Sequence, residues 1–339
     1  MSIHQLDFNG KDKVDKAIMR LQAYEPKEGY FLCFSGGKDS SVIKALADMA
    51  KVKYDAHYSV ASVDPPELVR FIKDNHPDVI FDYPRDKDGK VVTMWNLIPR
   101  KTMPPTRIVR YCCQYLKEQN GHGNGRLKVT GVRWAESTKR KKSHGEVTIT
   151  DKKAKKFVEK ELNDLDYKVT SQGGIALPLD SFDRTNKMVE MCYKTHTTTV
   201  NPIIDWTEGE VWEFIKEYKV PYCSLYDEGF KRLGCIGCPM GSKEQRQHEF
   251  ERWPKYKALY LKAFEKMIEN RNMRGGTERN LTSHKPQNKL CEATSPTNIS
   301  KKNMGGGTTN TLYPYAKTRA EIKDFGDMTP EEIIEWWID

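Results

Sequence analysis

One stretch constrains the fold of this 339-residue chain more than any other: FLCFSGGKDSSVIKALADMA, residues 31–50. An apolar run breaks into two glycines, a lysine and an aspartate, and a helix-like pattern follows. A loop between a strand and a helix presents free backbone N–H groups. The helix dipole adds partial positive charge, so such a junction binds anions, phosphate above all. Gly36 and Gly37 let a backbone approach a phosphate without a Cβ in the way. Ser35 and Ser40 add hydroxyl donors, and Lys38 adds a cation. A Walker A loop is excluded, because Asp39 follows Lys38 and no glycine stands five positions before Gly37.

The surrounding pattern alternates strand and helix, which predicts a parallel sheet covered by helices. Strands are expected in GYFLCF (29–34), YDAHYSVAS (54–62), DVIFDY (78–83) and RLKVTGVRW (126–134). Helices are expected over 11–24, with Val14, Ile18 and Leu21 on one face, over 41–50, over 65–76 with Asp64 as N-cap, and over 107–121. GHGNG (121–125) makes a turn and does not fit a dinucleotide fingerprint. Residues 137–200 break the alternation and read as an insertion. Thr207 and Glu210 predict a capping box before an apolar face of Val211, Phe214, Ile215 and Tyr218. A second amphipathic helix is expected over 252–271, with Tyr260, Phe264, Met267 and Ile268 on one side. The chain then turns polar and glycine-rich to about 310, and a capped helix closes it, carrying Trp336 and Trp337 for core packing. The expected division is a nucleotide-binding domain over 1–270 and a linker with a short helix over 271–339.

Eight cysteines stand in the chain, and four of them form two close pairs: Cys112–Cys113 and the GCIGC of Cys235 and Cys238. Four thiolates so paired suit a soft-ligand metal site, zinc or iron–sulfur. Cys33, Cys192 and Cys223 lack a partner motif and read as ordinary thiols.

The hexapeptide Ser-Gly-Gly-Lys-Asp-Ser resembles the PP-loop of the ATP pyrophosphatase superfamily. Together with CC…CxxC and the long block NPIIDWTEGEVWEFIKEYKVPYCSLYDEGFKRLGCIGCP (201–239), it resembles the iron–sulfur members of the phosphoadenosine phosphosulfate reductase family. TGVRWAES (130–137) is similar to the same family's G-x-R strand end. The resemblance covers roughly 25–135 and 200–270. It implies an α/β fold with a mostly parallel, twisted sheet and the ligand at the C-terminal ends of its strands. It also implies that Ser35, Gly36, Gly37, Lys38, Asp39, Ser40, Asp64 and Arg133 bind an adenine nucleotide. Asp39 would orient the loop or a magnesium ion, and Arg133 would meet the phosphate or sulfate end with its two-pronged guanidinium. Lys38, Asp39 and Arg133 are the expected catalytic residues. Cys112, Cys113, Cys235 and Cys238 would hold a [4Fe–4S] cluster.

The reductases of that family carry a C-terminal glutamate–cysteine–glycine–leucine–histidine motif with the sulfur-attacking thiol. Here the only cysteine after Cys238 is Cys291, in NKLCEATSP, where glycine and histidine do not follow. Two enzyme readings therefore stay open. ATP can serve to activate a target for sulfur transfer, or adenylyl sulfate (with or without a 3′-phosphate) can be reduced to sulfite. A nucleotide sensor without turnover is the reading from another class. A formal charge of +9, with basic clusters at 137–144 and 151–157, fits a nucleic-acid target, and a sulfur-donor protein is the other expected partner. No run approaches the roughly 20 apolar residues of a membrane helix, and the first residues lack a signal-peptide pattern, so a cytoplasmic location is expected.

Overall fold

The computed structural model describes residues 2–7, 10–118, 126–149, 167–170, 175–177, 198–279, 325–326 and 328–339. The chain divides into two compact units, Met1–Met94 with Tyr111–Cys238, and Trp95–Arg110 with Pro239–Asp339.

The first unit is an α/β structure built on one eight-stranded sheet, ordered β3-β2-β1-β4-β8-β5-β7-β6. The strands β1 (Tyr30–Cys33), β2 (Tyr54–Ser59), β3 (Ile80–Asp82), β4 (Lys128–Val129) and β8 (Thr198–Val200) run parallel. β5 (Val147–Ile149), β6 (Lys168–Val169) and β7 (Ile175–Leu177) then extend the sheet by antiparallel pairing. The region expected to be an insertion thus lengthens the sheet itself. Tyr30 and Leu32 of β1, Ala56 of β2, Val129 of β4 and Val200 of β8 are buried along its middle.

Three helices follow the alternation: α1 (Lys13–Ala23), α2 (Lys38–Ala50) and α3 (Pro66–Asn75). α1 starts on a capping box between Asp12 and Asp15 and buries Val14, Ala17 and Leu21. Ile18, expected on that face, is only half-buried, while Arg20 is buried because Glu146 and Asp205 neutralise it. α2 buries Val42, Ile43, Leu46, Ala47 and Ala50. α3 begins differently from the expectation. Its N-cap is Pro65, and the buried Asp64 turns its carboxylate to the Ala61 N–H at 2.8 Å instead of capping the helix.

The helix expected over 107–121 is cut short. Among its described residues, 107–118, only Tyr111–Cys113 (α5) is α-helical, and a π-helical turn, Gln114–Glu118, continues it. Upstream, Thr106 and Val109 close a turn on each other, with Thr106 N–H donating to the Val109 carbonyl and Val109 N–H to Thr106 Oγ1. This bend leaves 107–110 no helical register. The strand expected over 126–134 is ladder-paired only at β4, and its continuation bends toward the site. Beyond Trp134–Glu136, one 3₁₀ turn, lies α6 (Thr138–Ser143). α7 (Glu208–Glu217) has the expected capping box: Thr207 N–H donates to Glu210 at 2.7 Å, and Glu210 N–H to Thr207 at 3.3 Å. Val211, Phe214 and Ile215 are buried as expected. Tyr218 is 40% exposed, since it follows the last helical residue and lies stacked on Phe214.

In the second unit, the helix expected over 252–271 is present as α9 (Pro254–Arg279), and an unforeseen helix, α8 (Lys243–Arg252), runs up to it. Pro254 removes a backbone donor and disfavours helical geometry at Trp253, which breaks the run there. α10 (Pro330–Ile338) has the expected Thr329–Glu332 capping box. Trp337 is buried against Phe250, Tyr260 and Phe264, and its indole N–H donates to the Pro105 carbonyl at 2.6 Å. Trp336 packs edge-on to Phe325. α4 (Met94–Lys101) spans the boundary between the units. No helix among the described residues is long and apolar enough to cross a membrane.

Candidate anion-binding site

The loop after β1 closes on itself before α2 begins. Ser40 Oγ donates to the Gly37 carbonyl at 2.7 Å, and Ser35 Oγ donates to Ser40 Oγ at 3.2 Å. Gly36 has φ +73°, and a Cβ there would stand 2.7 Å from Leu68 Cδ1 and 2.8 Å from Ile72 Cδ1 of α3. Glycine is therefore demanded at 36 by the left-handed backbone and by the helix beside it. Gly37 is the N-cap of α2, so Lys38 and Asp39 fall on its first turn.

There they meet residues brought from β4 and α7. Arg133 Nε donates to Asp39 Oδ1 at 2.6 Å, and Arg133 Nη2 to Glu208 Oε2 at 2.7 Å. Lys38 Nζ lies 3.3 Å from Asp39 Oδ2 and 3.3 Å from Glu208 Oε1. The four side chains make a closed ring of alternating charge. Arg133 and Lys38 are buried, and two buried cations are tolerable because two carboxylates answer them. Asp39 is able to reach Arg133 because Gly131 has no side chain: a Cβ there would come within 3.1 Å of Asp39 Cβ. Burial alone would raise the Glu208 pKa, but Arg133 and Lys38 outweigh it and hold this carboxyl below its ordinary range.

Tyr226 completes the arrangement from a 3₁₀ turn, Ser224–Tyr226. The Lys38 backbone N–H donates to its hydroxyl oxygen at 2.9 Å, and Lys38 Nζ lies 5.6 Å from its ring centroid. Desolvation pushes the phenol's pKa up, so it stays neutral around pH 7. Arg140 of α6 is held below its ordinary pKa by burial, then by the like charges of Arg232 and Arg133, and is favoured by Asp39. Its guanidinium pairs with Glu136. The Lys38 N–H and the two buried cations are met by acceptors of the chain itself.

The cysteine pairs of the sequence also fall in this unit. Cys112 is buried, and Cys113, Cys235 and Cys238 are half-buried; all four are free thiols. Cys112 is pushed well up by its hydrogen bond to Cys113, by burial, and by Cys113, Cys235 and Cys238 nearby. Cys235 is pushed up to about 11 by burial, against the pull of Lys117. Cys235, with Asp64 and Cys113, in turn raises Lys117. The CIGC turn is shaped by Gly237, at φ +69°, and is tied to the segment between β2 and α3 by the Ile236 N–H on the Val63 carbonyl at 2.8 Å. Among the described residues no three His, Cys, Asp or Glu side chains stand ready as a metal site. The donor chemistry nevertheless suits a soft metal, since four thiols converge closely enough to perturb one another.

The fold thus brings Ser35, Gly36, Gly37, Lys38, Asp39, Ser40 and Arg133 to one place. Asp64 lies apart from the ring's hydrogen bonds, on the side that influences Lys117 and Cys235. Cys33 is raised to about 11 by burial, and Cys223 is raised by burial as well. Cys192, Cys291, the turn at 121–125, the basic run at 151–157 and most of the 272–310 linker lie outside the described residues. The other basic run is partly on α6, where Lys139, Lys141 and Lys142 are exposed.

Glu208, Tyr226 and Lys117 were not foreseen from sequence. Glu208 reads as a common acidic residue complementing a helix N-terminus. Lys117 follows Cys113 by four, a helical spacing that places the two on one face and was the available signal.

Residues 29–240 match the family described as the phosphoadenosine phosphosulfate reductase domain. Over 39 residues the chain is 46% identical to the adenosine 5'-phosphosulfate reductase of Allochromatium vinosum, covering 12% of this chain and 15% of that protein. An uncharacterized protein of Methanocaldococcus jannaschii is 25% identical over 279 residues, 76% of this chain and 54% of that one. The chain therefore spans about half, or less, of the length of these curated relatives. Among solved structures, the phosphoadenylyl-sulfate reductase of Candida auris is similar with a TM-score of 0.40 and 14% identity, over 69% of this chain and 98% of that one. The FMN adenylyltransferase of Candida glabrata gives a TM-score of 0.33 and 15% identity, over 70% of each chain.

Proposed function

Because the chain belongs to the phosphoadenosine phosphosulfate reductase family, we propose that it is an enzyme that seats an adenine nucleotide at the start of α2 and uses ATP to activate a target for sulfur transfer. The observation that carries this is the charge ring. Lys38 and Arg133 are buried cations at the C-terminal end of parallel strands. A nucleotide's phosphates would bind against them and against the N–H groups of Gly36, Gly37 and Lys38. In the activation step, an acceptor oxygen attacks the α-phosphorus and pyrophosphate departs with the bonding electron pair. Lys38 and Arg133 neutralise the charge that grows on the departing oxygens. Asp39 keeps both cations aimed, and it is the carboxylate that would hold a magnesium ion accompanying the nucleotide.

Cys112, Cys113, Cys235 and Cys238 are the thiols that would hold a [4Fe–4S] cluster, which would supply electron-transfer capacity or a fixed charge beside the nucleotide. Lys117, drawn to Cys235, would balance thiolate charge there.

A second reading, reduction of adenylyl sulfate to sulfite, is favoured by the local identity to adenosine 5'-phosphosulfate reductases. The sequence context of Cys291 favours the first, since glycine and histidine do not follow that thiol. Protein purified without oxygen, analysed for iron and sulfide and given ATP or adenylyl sulfate, separates the two. Pyrophosphate release supports activation. Sulfite release in the presence of a thiol reductant supports reduction. Failure to bind either nucleotide overturns both.

A further inference from the structure

We propose that Glu208 is a specificity-determining residue that stands in for a substrate oxyanion on Arg133 and gives way when the ligand arrives. The inference rests on the nucleotide reading above. Arg133 offers two edges to a bidentate oxyanion, Nε with Nη2 and Nη1 with Nη2. Nη2 belongs to both, and in this structure Glu208 Oε2 holds it at 2.7 Å. Nε is taken by Asp39 at 2.6 Å, and Nη1 lies 3.5 Å from the Trp206 carbonyl. A phosphate or sulfate that grips the guanidinium by two oxygens competes with the Glu208 carboxylate for Nη2, whichever edge it uses.

Glu208 is also the member of the ring built to leave. Its side chain is 55% exposed, against 22% for Asp39, 6% for Lys38 and 3% for Arg133. Asp39 is confined between Arg133, Lys38 and Gly131. The start of α7 does not depend on the Glu208 side chain, because Thr207 and Glu210 satisfy its cap. Turning out into solvent breaks two contacts at the ring and none in the helix. The exchange replaces one anion by another, so the two buried cations are never left uncompensated. A ligand too weakly charged to outcompete the carboxylate does not reach Arg133. A nucleoside without phosphates has no reason to displace it.

Titration calorimetry of wild type, Glu208→Gln and Glu208→Asp with adenosine, inorganic pyrophosphate and ATP, with and without Mg²⁺, tests this. The expected result is that Glu208→Gln binds pyrophosphate and ATP about tenfold more tightly, a typical size for coupled equilibria, while adenosine binding is unchanged. Glu208→Asp, which keeps the charge, should stay near wild type and serves as the second variant. Unchanged or weaker pyrophosphate binding by Glu208→Gln overturns the stand-in role. Weakening of ATP confined to the Mg²⁺ series overturns it in favour of a metal-binding carboxylate. If wild type binds ATP and Glu208→Gln gains nothing, only this inference falls. If no variant binds ATP or pyrophosphate, the nucleotide reading falls and takes this one with it.

Discussion

The charge ring at the start of α2 and the four thiols around Cys112 belong to the same unit, yet only the ring is made of opposite charges in contact with one another. In the ring, each cation has two carboxylate neighbours and each carboxylate two cations. Opposite charges hold one another at hydrogen-bond distance, so the geometry of the site survives in the free protein. The thiols are alike. Once ionised they repel, and burial together with their neighbours raises Cys112 and Cys235 instead of organising them. Such a group needs a cation to draw it together. On the proposed reading, an anion site is preformed by its own countercharges, whereas a four-thiol metal site would be finished by what it binds.

The comparison breaks most easily at Arg133. Arg133→Ala removes the partner shared by Asp39 and Glu208. It is expected to weaken ATP about a hundredfold and to lower stability by about 3 kcal/mol, read by calorimetry and urea denaturation. Arg133→Lys should recover little of the binding, since an ammonium lacks the two-pronged donor edge. The other side of the comparison is tested by Cys235→Ser. Iron and sulfide should fall to background in protein purified without oxygen, while ATP affinity changes by less than about threefold, because the ring stands without the thiols. Full iron content in that variant would sink the four-thiol assignment.

Gly36→Ala asks whether the loop is held by its neighbours before any ligand binds. The added methyl would meet Leu68 and Ile72 in a left-handed backbone. A loss of about 1–3 kcal/mol is expected from the denaturation midpoint, with or without nucleotide.

The smallest effect concerns the support behind α7. Burial works to raise Asp205, but Arg20 and Lys13 outweigh it and hold its pKa low. A depressed carboxylate contributes stability that is fully present above its unfolded pKa of about 3.9 and is lost as pH falls through the lower folded value. Asp205→Asn should therefore flatten the acid limb of a stability–pH curve below about pH 4 and cost about 1–2 kcal/mol at neutral pH.

Much of this was legible in the chain as written. SGGKDS between an apolar run and a helical pattern located the loop, and the strand–helix alternation located the parallel sheet. The Thr207–Glu210 and Thr329–Glu332 boxes were readable because capping depends on residues three apart. Local signals failed where distant contacts decide. Helix α5 is short because a turn at 106–109 closes upstream of it. Asp64 looked like a cap, but its carboxylate turns back to Ala61. Residues 137–200 read as an insertion, but that β5 and β7 within it lengthen the sheet was not legible, because strands of two or three residues carry almost no periodic pattern.

The sequence by itself determined the family and the α/β alternation, and it singled out Lys38, Asp39, Arg133 and the paired cysteines as candidate site residues. These rest on motifs a few residues long, whose meaning is carried by neighbours along the chain. The tertiary structure alone decided that Glu208 and Tyr226 come to the loop and answer its donors. They stand 170 and 188 positions from Lys38, a separation across which no local pattern reaches. Two buried cations need counter-charges wherever the fold can bring them, and only the packing of α7 and the Ser224–Tyr226 turn against the start of α2 says which residues those are.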